Sequence, residues 1–129
     1  MSTVNQVINT EQSPLASHLY SQAIRAGNTL YLSGLIGFTT ERKFAGDSVE
    51  EQTKQIFTNL SAVLSASGAT MNNISKCTIY LLTMNDYNKV NELYIQAFGN
   101  SEYRPARTCI AVSGLPLGAK IEIEVIATL

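Results

Sequence analysis

Charge is scarce in this sequence: Lys and Arg number nine and Asp and Glu ten, together 15% of 129 residues, against about 25% in an ordinary soluble domain. Part of the surface is therefore expected to be covered. The nine cations are scattered from Arg25 to Lys120 without a basic stripe, and the net charge is −1. That argues against a nucleic-acid partner, because binding a phosphate backbone relies on clustered cations that release counterions. There is one histidine, His18, so a zinc site built from several imidazoles is excluded within one chain, and His18 reads as a loop side chain. The two cysteines, Cys77 and Cys109, form no Cys-x-x-Cys pair and read as free thiols of a reducing compartment. No apolar run approaches the roughly 18 to 20 residues of a membrane helix. Residues 1 to 15 carry a single charge, Glu11, and no export or organelle signal pattern, so the cytoplasm is the expected location. No Gly-rich phosphate loop, nucleophile elbow or metal motif is present.

What is present is a 45% hydrophobic content and a length suited to one domain over residues 1–129. Residues 19–26 and 29–34 flank Gly27-Asn28, a pair suited to a two-residue hairpin turn. A tight turn sets Ala26 opposite Thr29, Gln22 opposite Ser33 and Tyr20 opposite Leu35, so Tyr20 and Ser33 share a face. Residues 35–47 read as a loop around Glu41-Arg42-Lys43. Ser48 with Glu51 three residues on is a capping box. Val49, Thr53, Ile56, Phe57, Leu60, Val63 and Leu64 then recur at helical spacing up to Gly68.

The run 74–82 reads as a strand buried on both faces. A second helix over about 85–98 carries Tyr87, Val90, Tyr94, Ala97 and Phe98 on one stripe. Asn91 falls inside that stripe, and an amide there needs a specific partner. Strands at 107–113 and 119–128 close the chain. Arg107, Cys109 and Ala111 share one side of the first; Ile121, Ile123 and Val125 alternate with Lys120, Glu122 and Glu124 in the second. The five-residue connection permits either a hairpin or a crossover, so the spacing leaves open whether Glu122 faces Arg107. The order β-β-β-α-β-α-β-β predicts an α+β fold, a mixed sheet with both helices on one face.

An arginine opening an apolar strand either holds its head in solvent or clamps a carboxylate, for which the planar guanidinium offers paired donors. Glutamates alternating along a strand ordinarily mark its solvated face, and Cys109 alone reads as a small apolar residue. Arg104-Pro105-Ala106-Arg107, followed by Leu115-Pro116, Gly118-Ala119-Lys120-Ile121-Glu122-Ile123-Glu124 and Ile126-Ala127, resembles the C-terminal signature of the reactive-intermediate deaminase family, also called RidA, YjgF or L-PSP. Tyr20-Ser21-Gln22-Ala23, Leu32-Ser33-Gly34 and Val90-Asn91 extend the resemblance over nearly the whole chain.

The resemblance implies a chorismate-mutase-like six-stranded sheet whose last strand lies inside it, a homotrimer, and ligand pockets between subunits. It also implies hydrolysis of enamine and imine acids, such as 2-aminoacrylate and 2-iminobutanoate, to 2-oxo acids and ammonia, with no metal or cofactor. Position by position, Arg107 matches the arginine that grips the substrate carboxylate and Glu122 the acid that handles the attacking water. Cys109, Tyr20, Ser33 and Asn91 match pocket residues. The sheet face opposite the helices is expected to be the covered, low-charge surface, with Arg107 and Glu122 the charges kept on it. His18-Leu19 and Leu35 replace the Gly-Pro and Gln of the family pattern and alter the pocket mouth. The alternatives are a non-enzymatic trimer that binds small carboxylates, as a sensor or holdase, and an endoribonuclease or translation inhibitor.

Overall fold

The computed structural model describes residues 4–129; residues 1–3 of the expected domain lie outside the described residues. The elements follow the expected order: β1 (Gln6–Ile8), β2 (Ala23–Ala26), β3 (Thr29–Leu32), α1 (Val49–Ala66), β4 (Ile74–Leu81), α2 (Tyr87–Phe98), β5 (Ala106–Ala111) and β6 (Ile121–Thr128). All six strands form one mixed sheet in the order β1-β2-β3-β6-β4-β5. Only β4 and β5 run parallel, and α2 is the crossover that a parallel pair requires.

Local chemistry sets the first elements. Ala26 pairs with Thr29 as the tight turn demands. Gly27 has φ 61°, the pattern of a two-residue turn with glycine in its first central position. The strands end at Ala23 and Leu32, and one further bond, from Ser33 N to Gln22 O at 3.0 Å, carries the pairing to the site. α1 begins with the reciprocal box: Ser48 Oγ accepts from Glu51 N at 3.0 Å, and Glu51 Oε1 accepts from Ser48 N at 3.3 Å. Every member of its expected apolar stripe is buried, and Gly68 follows in the left-handed conformation, φ 77°.

β6 does not fold back on β5. It runs antiparallel between β3 and β4, in the centre of the sheet, and this answers the connection the spacing left open. Ile121, Ile123, Val125 and Ala127 of β6 are buried with Cys77, Ile79 and Leu81 of β4 and Leu30 and Leu32 of β3. Ile56, Leu60, Val63 and Leu64 of α1 and Val90, Tyr94 and Phe98 of α2 complete that core.

The other sheet face is different. Registered rows place Tyr31 beside Ile126, Thr78 beside Glu124 and Thr108, and Tyr80 beside Glu122 and Ile110. Tyr31 is 49% exposed and Ile110 44%. β4 is accordingly not buried on both faces: Cys77, Ile79 and Leu81 are buried, whereas Lys76, Thr78 and Tyr80 are half-buried. The apolar run misleads there because Lys76, Thr78 and Tyr80 supply the second face with polar groups.

Candidate active site

Glu122 sits at the start of β6, its second residue, on the helix-free face, and its position is pinned from the next residue. Ile123 and Leu35 exchange both backbone hydrogen bonds, at 2.8 and 3.0 Å, which ties the segment after β3 to the central strand. Gly34 then lies against the Glu122 carboxyl so closely that a Cβ there would stand 2.3 Å from Oε2. No other residue leaves room for the carboxylate in this place. Burial raises the Glu122 pKa above its ordinary value, and the neighbouring charge of Glu124 raises it further. Glu124 itself accepts a hydrogen bond from the Tyr80 hydroxyl.

Glu122, Gly34, Ser33 and Tyr20 line one cavity of about 270 Å³, close to the lower end of small-ligand sites, roughly 300 Å³. Leu35, Ile36, Phe38, Pro116 and Leu117 form its apolar wall. The Ser33 hydroxyl donates to Ser21 O at 2.6 Å, which leaves its lone pairs toward an incoming donor. The remaining wall is held by Gln22, which is buried. Its Oε1 accepts from Thr10 N at 2.7 Å, and its Nε2 donates to Thr10 O at 3.0 Å and Pro14 O at 2.8 Å. One amide thus fastens the N-terminal segment, including Pro14, against the cavity.

Arg107 belongs to a second cluster. It pairs across β4 with Cys77, which pairs in turn with Val125, so its side chain leaves the sheet on the helix side. There α2 cradles it: Nη2 donates to Asn91 Oδ1, and the guanidinium carbon lies 4.6 Å from the Tyr94 ring centroid and 5.5 Å from that of Tyr87. Tyr87, Asn91 and Tyr94 are spaced by one helical turn each. The cation is held by two ring faces and one amide oxygen, with Tyr94 and Cys109 also in hydrogen-bonding range of its fork. Asn91 thus finds the partner that its place on an apolar stripe demands.

Cys109 stands two residues along β5 on the same side as Arg107. Burial pushes its thiol above the ordinary value, and Arg107 only partly offsets this. Cys77, beneath it, is pushed up to about 12, chiefly by burial. Both sulfurs are neutral thiols near pH 7 and poor nucleophiles.

The chain brings Tyr20, Ser33 and Glu122 together and, separately, Arg107, Asn91 and Cys109. The expectation that Arg107 and Glu122 share the low-charge face is overturned by the register: Arg107 is in line with buried Cys77, and Glu122 is in line with Tyr80 on the opposite face. Alternation along each strand was readable, but relating two strands requires their pairing. Tyr87 and Tyr94 read in sequence as core residues only, and the Gln22 clamp had no signal beyond its place in Tyr20-Ser21-Gln22-Ala23.

A family model described as Endoribonuclease L-PSP matches residues 10–129. Reactive Intermediate Deaminase A, chloroplastic, of Arabidopsis thaliana is 46% identical over 129 residues, covering 99% of this chain and 68% of its own. The 2-iminobutanoate/2-iminopropanoate deaminase of Homo sapiens is 39% identical over 127 residues, 98% of this chain and 91% of its own. Among solved structures, YyfA of the conserved Rid protein family from Yersinia pestis superposes with a TM-score of 0.94 at 38% identity, covering 98% of this chain and all of that one. E. coli TdcF with bound serine superposes with a TM-score of 0.91 at 30% identity, covering 96% and 98%. A six-stranded mixed sheet with two helices is the architecture this chain shares with these solved structures. The chain belongs to the L-PSP family, also called RidA or YjgF.

Proposed function

We propose that this protein hydrolyses reactive enamine and imine acids, with 2-aminoacrylate and 2-iminobutanoate as the reference substrates, to 2-oxo acids and ammonia. The observation that carries the reading is the Glu122 carboxyl: desolvated, seated in the space left by Gly34, and open to a cavity that suits a small metabolite. A carboxylate with a raised pKa is a stronger base than one in water, and general acid-base help of this kind is commonly worth about 10² to 10⁴-fold.

In the proposed step a water oxygen, its proton drawn by Glu122, bonds to the imine carbon. Glu122 passes that proton to nitrogen as the carbon–nitrogen double bond opens, giving a carbinolamine. The remaining hydroxyl proton then moves through Glu122 to the amine, the carbon–nitrogen single bond breaks, and ammonia leaves as the 2-oxo acid forms. An enamine enters the same route after taking a proton on its terminal carbon. Arg107 binds the substrate carboxylate two-to-two, which holds the imine carbon beside the water and lowers the entropic barrier. Asn91, Cys109, Tyr20 and Ser33 complete the pocket.

Because Arg107 and Glu122 leave opposite faces of one sheet, the reading places each site between two copies of the chain, in a homotrimer that covers the exposed rows around Tyr31 and Ile110. It takes residues 1–129 as one domain and the substrate as a small molecule rather than nucleic acid. It also takes the cytoplasm as the location, although one relative is named as chloroplastic.

The test is ammonia release in an assay coupled to threonine dehydratase, run beside Arg107→Ala. Accelerated release that Arg107→Ala lowers by at least about tenfold, the worth of a charge-assisted hydrogen bond, supports the reading. No acceleration by the native protein, or full activity in Arg107→Ala, overturns it. Binding of 2-oxo acids without faster ammonia release would make the protein a carboxylate-binding trimer. RNA cleavage that disappears in a pocket variant would make it a ribonuclease.

A further inference from the structure

We infer that Arg42 makes the cavity selective for imino acids whose side chain ends in a second anionic group; the inference rests on the deaminase reading and narrows its substrate class. Arg42 lies in a loop closed by the bridge between Phe38 and Phe44, and it lines the same cavity as Glu122, Ser33 and Tyr20. Its backbone is left-handed, φ 62°, a conformation unfavourable for a side-chain-bearing residue and one that glycine would adopt freely. From this position the side chain lines the cavity and reaches the N-terminal segment that Gln22 fastens against it. There Nη1 donates to Leu15 O at 2.8 Å, and the guanidinium carbon lies 5.8 Å from the Phe38 ring centroid.

The guanidinium is fixed in place but not neutralised. Its hydrogen bonding among the described residues is to one neutral carbonyl, with no carboxylate partner. The other N–H groups of its five-donor fork remain for an anion. Arg42 is also the one cation in a cavity wall otherwise formed by apolar groups, neutral polar groups and Glu122. A substrate whose first carboxylate is held by Arg107 of a neighbouring copy, and whose imine carbon meets Glu122, runs its side chain along Leu35, Ile36 and Phe38. Its far end then arrives at Arg42. An apolar terminus gains nothing from that cation, whereas a carboxylate gains a charge-assisted hydrogen bond.

The experiment measures binding of 2-oxobutanoate, with one carboxylate, and 2-oxoglutarate, with two, to the native protein, Arg42→Gln and Arg42→Gly. Arg42→Gly removes the charge and relieves the left-handed strain, so it guards against a folding defect in Arg42→Gln. The expected result is a native preference for 2-oxoglutarate that shrinks with added salt and falls about fivefold in both variants, the size of an exposed charge pair. An unchanged ratio in either folded variant overturns the inference. Equal weakening of both acids also overturns it, because Arg42 would then serve the shared carboxylate or the loop alone. If the native protein binds neither acid, the deaminase reading itself fails; if it binds 2-oxobutanoate without discrimination, only the role of Arg42 fails.

Discussion

Arg107 and Glu122 project from opposite faces of the same sheet, Arg107 on the edge strand β5 in line with Cys77 of β4 and Glu122 on the inner strand β6 in line with Tyr80 of β4. A substrate that needs both groups must find them on two different chains. Two individually impaired variants, Arg107→Ala and Glu122→Gln, should therefore gain activity above either parent when their subunits are mixed by reversible unfolding. Random assembly restores an intact pair at about a quarter of the interfaces. Ammonia release near that fraction of native activity is expected, and no gain over either parent would mean that both residues act from one chain.

Glu122→Gln alone should keep binding 2-oxobutanoate and lose about 10² to 10⁴-fold in turnover. The pH dependence has a definite sign. Since burial raises the folded pKa above the ordinary 4.5, the working carboxylate is lost as pH falls through a value higher than 4.5, and kcat/KM should decline there. The same shift means that the native state binds the proton more tightly than the unfolded chain, so keeping Glu122 charged at neutral pH costs stability. Glu122→Gln should accordingly melt no lower than the native protein at pH 7, which differential scanning calorimetry will read.

Gly34→Ala separates the seat of the carboxylate from its chemistry. The added methyl would stand 2.3 Å from Glu122 Oε2, so the carboxyl must swing aside. Turnover should fall at least about tenfold, by analogy with the cost of a 1 Å misplacement in a catalytic site, while circular dichroism stays native. Full activity in Gly34→Ala would mean that the close approach does not matter to the reaction.

The helix cap is a control remote from the site. Ser48→Ala removes the oxygen that accepts from Glu51 N and should destabilise by about 1 kcal/mol. For a chain of this length that is a drop of roughly 4 °C in Tm, with kcat/KM retained. A Tm change below about 1 °C would show that the box contributes little.

Much of the fold was legible because its signals are local. The capping box at Ser48 and Glu51 and the stripe from Val49 to Leu64 name the start and buried face of α1, and Gly27 names a turn whose register follows from Ala26 and Thr29. The candidate side chains were legible through the resemblance of Arg104-Pro105-Ala106-Arg107 and the tail around Glu122. Asn91 was legible as an amide needing a partner, though not as the partner of Arg107.

The scarcity of charge, the strand alternation at Glu122 and Glu124, and the types of the elements from β2 onward follow from the sequence by itself, since composition and periods of 2 and 3.6 residues are properties of the chain. The resemblance implied a last strand inside the sheet, but tertiary structure alone decided that its neighbours are β3 and β4, that Gly34 makes room for Glu122, and that Tyr87, Asn91 and Tyr94 cradle Arg107 away from that glutamate. Periodicity states which residues share a face of one strand. Which way that face points depends on its neighbours in the sheet, and those neighbours come from far along the chain.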